Sequence, residues 1–338
     1  MLKACPGPLA QGYDFTALDL DGVVYVGETV LQSVPETLKS LSALGHKLAF
    51  ITNNASRTPG QVAAKLRALS VPADEEDVVT SAQASAHLLA KTLPYGSKVY
   101  VIGGIGLEEA LQSFGLVPVT EPDADVLAVA QGYGPDMPWK QVLAGAVLVA
   151  QGLPWVATNT DLTIPLPNGI GPGNGALVKL VGEFARRSPV VAGKPELPLF
   201  DETRERVGGM RPLMVGDRLD TDIEGARRAG WASLLVMTGV TGLGELLGAG
   251  VHERPDFIGT DLRSLLEVHG TPTQVAAAWE LGGWRGWTEA DVLRISGDGS
   301  LSDWLRVAAA TAWAHIDSRG DSLDGTEFKD LSKVDLVG

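Results

Sequence analysis

Short apolar runs alternate with amphipathic segments over most of the chain, and this rhythm restricts the fold more than any single motif. The runs at 15–20, 47–52, 98–103, 125–130, 154–158, 189–192, 212–216 and 232–237 read as strands. The segments at 33–44, 58–70, 81–92, 138–151, 174–187 and 222–229 carry helical spacing of apolar residues. Strands that alternate with helices predict α/β architecture with a mostly parallel sheet. The runs are nearly all apolar, the pattern of strands covered on both faces. A doubly wound parallel sheet is therefore the expected core. The rhythm fades after about residue 268. Beyond it lie Trp279, Trp284, Trp287, Trp304 and Trp313, five of the chain's 8 tryptophans. Leu301, Trp304, Leu305, Ala308, Ala312 and Trp313 follow at helical spacing.

A chain of 338 residues suggests about two domains. The formal net charge of −14 argues against a nucleic-acid partner, which calls for a basic face. An anionic substrate would need positive charge supplied locally, against the field of the whole protein. Cys5 is the lone cysteine, which excludes a disulfide framework and a cysteine-based zinc site. The "LKAC" start lacks the apolar stretch of a lipoprotein signal. The most apolar long window, 142–157, is interrupted by Gln151 and Pro154 and falls short of the ~20 residues of a membrane span. The expectation is a soluble, cytoplasmic protein with no membrane partner.

Four strand ends carry polar residues. In "FTALDLDGVVY" (15–25), Asp19 and Asp21 end an apolar run. Parallel sheets place working residues at such carboxyl ends. Residues two apart in extended chain share a side, so both carboxylates can face one pocket. Such a pair needs a cation or a shared proton. Asp-Gly is equally a common turn signal. In "KLAFITNNASR" (47–57), Thr52, Asn53 and Asn54 sit between a strand and a helix. A hydroxyl and free amides there suit phosphate oxygens, and also suit helix capping. In "VVAGKPE" (190–196), Lys194 offers a point charge to a phosphate or an aspartate; a solvated lysine is the commoner outcome. In "LMVGDRLDTDIEG" (213–225), Asp217, Asp220 and Asp222 cluster behind a strand. They make a hard-cation site or routine capping.

The order D-x-D-G, T-N-N, G-K-P, G-D-x-x-x-x-D resembles the haloacid dehalogenase (HAD) superfamily of phosphatases. "ITNNASRT", "PGNGAL", "AGKPE" and "MVGDRLDTDIEGA" resemble its NagD-like, capped class IIA branch, over about 13–268. That branch includes phosphoglycolate, glycerol-phosphate, pyridoxal-phosphate and 4-nitrophenyl-phosphate phosphatases. The chain also resembles the actinobacterial glycerol 3-phosphate phosphatases of this branch that carry a C-terminal extension described as acetyltransferase-like. The resemblance implies a HAD-like Rossmannoid core at 1–78 and 189–268. It implies an inserted α/β cap at 79–188 that selects substrate, and an appended region at 269–338.

The resemblance also implies residue roles. Asp19 is the nucleophile that forms an aspartyl-phosphate, and Asp21 is the acid and then the base. Mg²⁺ is held by Asp19, Asp217 and the backbone carbonyl of Asp21, with Asp222 in support. Thr52 and the Asn53 amide, with Asn54, bind phosphate. Lys194 offsets charge on Asp19 and the transferring group. The expected partner is a small phosphorylated metabolite, and a homodimer through the cap is in keeping with the branch. The leading activity is a Mg²⁺-dependent phosphomonoesterase with glycerol 3-phosphate foremost. Phosphoglycolate, pyridoxal phosphate and nucleotides are alternatives. A phosphotransferase and a metabolite-binding sensor without turnover are the rival readings.

Remaining features are assigned more modestly. Asn159, Asp161 and Asn174 lie in segments that resemble parts of the cap near the pocket, and turn formation is their commoner use. Gly103, Gly104 and Gly106 do not complete a dinucleotide fingerprint, because Glu109 takes the last glycine's place. Arg57 and Arg218 flank the motifs, where salt bridges are the ordinary role. The histidines lack ligand spacing. The tail has no R/Q-x-x-G-x-G/A turn, so acetyl transfer is not expected; a regulatory or oligomerisation role is left to it.

Overall fold

The computed structural model describes residues 2–166, 169–289 and 292–319. The end of the appended region, 320–338, lies outside them. By packing, the chain forms two compact units, one from 1–48 and 209 onward, the other from 49–208.

The first unit contains four parallel strands. Phe257–Gly259 pairs with Ala232–Val236, which pairs with Pro212–Gly216, which pairs with Phe15–Leu18. Leu18 lies beside Val215, and Gly216 beside Leu235. Phe15–Leu18 and Pro212–Gly216 are buried at every residue. This is the both-faces-covered sheet that the apolar runs predict. Parallel strands bring their carboxyl ends to one edge, so the segments after Leu18, Gly216 and Val236 start there together.

The appended region folds differently from its sequence reading. Four antiparallel strands, Thr273–Val275, Ala278–Leu281, Trp284–Glu289 and Val292–Gly297, form a meander, followed by the helix Leu301–Arg319. The helix was legible and the strands were not. They are half-exposed and rich in Trp, Arg and Glu, so they lack the apolar runs that mark the buried sheet. Their signal was the Gly282-Gly283 turn, which joins two strands with positive φ at both residues. Leu305, Ala308, Ala309, Ala312, Trp304 and Trp313 share one hydrophobic cluster with Leu235, Met237, Leu246, Leu247 and Ile258. The region is thus part of this unit's core.

A buried polar tie fixes the helix. Arg306 donates through Nε to Ile258 O at 3.1 Å and through Nη2 to His269 Nδ1 at 3.0 Å. It also meets Asp303 at 3.0 Å. Because guanidinium only donates, Nδ1 must accept, and Nε2–H donates to Ser264 O at 2.7 Å. Burial, helped by the Arg306 charge, pushes the His269 pKa down to about 4.

The second unit holds a five-stranded parallel sheet in the order Val190–Val191, Trp155–Ala157, Val126–Gln131, Lys98–Ile102, Val117–Val119. Trp139–Ala150 and Asn174–Ala185 contribute Val142, Ala146, Val149, Val178 and Val181 to its core. The hairpin Thr163–Leu166 with Gly169–Pro172 is separate. Strand Lys47–Thr52 pairs in parallel with Val78–Thr80. Each leads to a capped helix. Thr58 and Gln61 form a reciprocal box at Pro59–Ala68, and Thr80 and Gln83 do so at Ser81–Ala90. Among the described residues no helix is long and apolar enough to cross a membrane.

The His269 tie generates a pH prediction. Its folded pKa lies below the unfolded value near 6.5, so the unfolded chain binds the extra proton. Stability from this group is therefore full above about pH 6.5 and falls as pH drops towards 4. Urea unfolding from pH 7 to 4 should show wild type losing stability more steeply than His269→Gln. Equal slopes would remove His269 as the cause.

Candidate active site

Asp19 and Asp217 each follow a parallel strand, and neighbouring strands set them side by side. Asp19 N donates to Val215 O at 2.9 Å, which extends the ladder one residue past Leu18. Carboxylate oxygens of Asp19, Asp217 and Asp222 all lie within 4.8 Å of one another. Asp217 is 1 % exposed and Asp222 0 %, while Asp19 is partly exposed. Burying like charges this close is costly unless a cation or protons offset them. Three oxygen donors and no soft ligand suit a hard divalent ion such as Mg²⁺.

The loops that hold these groups are tight. After Leu20 the chain turns at once: Val24 N and Tyr25 N both donate to Leu20 O, at 2.9 and 3.1 Å, and Gly22 N donates to Tyr25 O at 2.8 Å. Asp21 lies in this turn and is exposed. The extended-chain argument for a shared face therefore does not apply to Asp19 and Asp21, because the strand stops at Leu18. The Asp-Gly turn signal was sound, and it sits directly beside the carboxylate group. The third member of that group is Asp222, not the Asp21 side chain. Asp222 Oδ2 accepts from Arg218 N at 3.1 Å. Ile223 N reaches Arg218 O, five residues back, at 3.2 Å. Such a wide π-type turn is rare and is found often at functional sites. Asp220 is not drawn in; it pairs outward with Arg218 at 2.8 Å.

One element escaped the sequence reading. The loop after Ala232–Val236 clasps Asp217: Val240 N donates to Oδ2 at 2.6 Å, and Thr241 N donates to the Asp217 carbonyl at 3.1 Å. Thr238 Oγ1 donates to Gly22 O at 2.5 Å. A Cβ on Gly239 would stand 1.9 Å from Asp217 Oδ2, and one on Gly22, whose φ is +85°, would stand 2.4 Å from it. Asp217 thus lies against two glycines from different loops. The signal was "TGVTG" at a strand end, polar residues placed like those of the other motifs.

The second unit arranges the remaining candidates around Asn53. Its Oδ1 accepts from Lys194 N at 2.8 Å, and its Nδ2 donates to Lys194 O at 3.0 Å. Both backbone groups of Lys194 are thereby held by one side-chain amide, and Lys194 is buried at 3 % exposure. Nδ2 also lies 3.2 Å from Asp161 Oδ2. The Asn53 carbonyl accepts from Ser81 Oγ at 2.6 Å and Asn159 Nδ2 at 2.7 Å. Asn174 Nδ2 donates to Asn159 O at 2.7 Å. Asn159 and Asn174 are therefore buried bridges within the unit. Thr52 Oγ1 accepts from Asn54 N at 3.1 Å, and Asn54 Oδ1 accepts from Ser56 N at 2.9 Å. Arg57 is exposed. His87 with Glu202 and Glu205 also clusters three possible ligands. There Glu202 is taken by a hydrogen bond with His87 and an ion pair with Arg206 at 2.6 Å.

Comparison with known proteins agrees with this geometry. Residues 16–117 match the model of haloacid dehalogenase-like hydrolases, and 191–265 match a second HAD-hydrolase-like model. The D-glycerol 3-phosphate phosphatase of Mycobacterium tuberculosis is 38% identical over 90% of this chain and 87% of its own. The chain is a haloacid dehalogenase-like hydrolase. A crystal structure of glycerol phosphate phosphatase from M. tuberculosis in complex with magnesium superposes with a TM-score of 0.85 at 34% identity, covering 98% of this chain and 99% of that one. The 5'-nucleotidase YutF of Bacillus subtilis is 37% identical over 66% of this chain and 87% of its own. In this HAD-like hydrolase, the two matched ranges contain Asp19, Thr52, Lys194 and Asp217.

The clasp on Asp217 is testable. Gly239→Ala needs no unusual φ, so its effect falls on the carboxylate it displaces. A displacement of about 1 Å in a catalytic group costs on the order of 10²-fold in rate. Steady-state kinetics of Gly239→Ala, with the fold checked by circular dichroism, should show that loss. Wild-type turnover would mean that Asp217 tolerates the shift.

Proposed function

We propose that the chain is a Mg²⁺-dependent phosphatase that hydrolyses small-molecule phosphate monoesters through an aspartyl-phosphate on Asp19, with glycerol 3-phosphate as substrate. The observation that carries this reading is the Asp19, Asp217 and Asp222 group at the carboxyl ends of parallel strands. Mg²⁺ bound by Asp19, Asp217 and the Asp21 carbonyl, with Asp222 in support, would balance the carboxylates and draw charge from phosphate oxygens. Asp19 attacks phosphorus, and the bond to the ester oxygen breaks. Asp21, exposed in its turn, gives that oxygen a proton. It then takes one from the water that attacks the aspartyl-phosphate, which frees phosphate and restores Asp19. Thr52, the Asn53 amide and Asn54 are assigned to phosphate oxygens. Lys194, held by Asn53, is assigned to charge on Asp19 and the transferring group. These assignments follow the family pattern.

Residues 1–78 and 189–268 serve as the catalytic core in this proposal, with 79–188 as the cap that selects substrate and 269–338 as the extension. Glycerol 3-phosphate is favoured because the M. tuberculosis glycerol 3-phosphate phosphatase matches over 90% of the chain, which includes part of the extension. The shorter relatives, named as a 5'-nucleotidase and as an acid sugar phosphatase of Staphylococcus aureus, supply the alternatives. The intact Asp19 and Asp21 pair weighs against a sensor without turnover. A cytoplasmic location belongs to the same proposal. So does a homodimer through the cap, supported by Trp139, Leu143 and Val147. These lie four residues apart on one helix at 54%, 50% and 46% exposure. Sedimentation equilibrium should find a dimer, and a monomer would end that part.

The activity is tested by phosphate release with Mg²⁺ from glycerol 3-phosphate, phosphoglycolate, pyridoxal phosphate, hexose phosphates and nucleoside monophosphates. Glycerol 3-phosphate should give the highest kcat/KM; a nucleotide in first place would overturn the substrate. Asp19→Asn should lose at least about 10³-fold in kcat. Full activity in that variant would overturn the nucleophile.

A further inference from the structure

The acidic loop after Asp217 is anchored by two apolar residues, and their cluster reaches the C-terminal helix. Leu219 is 8% exposed and Ile223 0%. They bracket Asp222 within the wide turn Leu219–Ile223. Both belong to the hydrophobic cluster that contains Trp304, Leu305, Ala308, Ala309, Ala312 and Trp313 of helix Leu301–Arg319. That helix is itself fixed at several points. Trp313 Nε1 donates to Leu246 O at 2.9 Å, the Arg254 guanidinium lies 5.3 Å from the Trp313 ring centre, and Arg254 pairs with Asp317 at 2.8 Å. Arg306 adds the buried tie to Ile258 and His269.

A five-residue turn has few internal hydrogen bonds with which to hold Asp222 against the neighbouring carboxylates of Asp19 and Asp217. Its shape depends on the packing of Leu219 and Ile223. Close-packed interiors transmit displacement, and the shared cluster gives a packed route from the helix to the turn. We propose that helix Leu301–Arg319 of the appended region is a positioning element for the Asp217–Asp222 loop, with Trp304 and Leu305 as positioning residues that tune its affinity for a divalent cation. This gives the appended region a role in the phosphatase site without any activity of its own. It rests on the reading of Asp19, Asp217 and Asp222 as the Mg²⁺ site.

The test is titration calorimetry of the metal-free full-length chain with Mg²⁺, well below the unfolding temperature, paired with steady-state kinetics. Trp304→Ala should weaken Mg²⁺ binding about tenfold, the scale on which supporting groups act on metal ligands. The conservative Trp304→Phe should restore affinity to within about threefold of wild type. Leu305→Val, a smaller change, keeps the question answerable if Trp304→Ala does not fold, and should weaken binding about threefold. Val181→Ala, in the core of the other unit, should lower thermal stability while leaving the Mg²⁺ Kd unchanged. At saturating Mg²⁺ the Trp304 and Leu305 variants should regain most of kcat. Folded Trp304 and Leu305 variants with wild-type Mg²⁺ affinity would overturn the inference and leave the site assignment standing. A wild-type chain that binds no Mg²⁺ would remove the site assignment, and the inference with it.

Discussion

Mutual repulsion among three carboxylates is the constraint around which the rest of the molecule is arranged. Asp19, Asp217 and Asp222 hold carboxylate oxygens within 4.8 Å of one another, with Asp217 and Asp222 buried and Asp19 partly exposed. Left alone, such a group would drive its loops apart or take up protons. The fold resists through a parallel register that fixes two of the backbones, glycines that let loops close on Asp217, and main-chain donors aimed at its oxygens. What remains is a concentrated negative charge with oxygen donors only, which a hard divalent cation satisfies. The chain's net charge of −14 makes such a local cation the means by which an anionic phosphate approaches.

Much of this was legible from residues alone, for a physical reason. Buried parallel strands need continuous apolar runs, so a polar residue at a run's end stands out. Asp19, Thr52, Lys194 and Asp217 all stand out in this way. The five-stranded sheet was legible for the same reason, since Lys98–Ile102 and Val126–Gln131 are as apolar as the strands near Asp19. The Thr238–Thr241 clasp was not, because its contribution is backbone N–H groups, which every residue carries. Asp21 was placed in extended chain because spacing alone does not reveal where a strand stops. Asn53 was read as a phosphate ligand through its amide, and its side chain proved to be the clamp on Lys194. The meander at 273–297 was missed because half-exposed strands carry no apolar run.

The appended region takes on a different meaning once packed. Trp304 and Trp313 are core residues shared with the unit that bears the carboxylates, and Trp284 packs against the same cluster, in keeping with a region that steadies chemistry rather than performing its own. The second unit has the same logic in polar form. Asn53, Asn159 and Asn174 link segments far apart in sequence through buried side-chain amide hydrogen bonds, which also hold the backbone of Lys194.

The central claim is that the Asp19 carboxylate itself accepts the phosphoryl group while Asp21 handles protons. It is tested most directly with Asp21→Asn and 4-nitrophenyl phosphate. That leaving group departs without a proton, so the first step survives while hydrolysis of the intermediate stalls. Rapid mixing with Mg²⁺ should give a burst of nitrophenolate stoichiometric with enzyme. Acid quenching and peptide mapping should then find one phosphoryl group on the peptide that contains Asp19. Steady nitrophenolate release without a burst, with that peptide unmodified, would contradict the account.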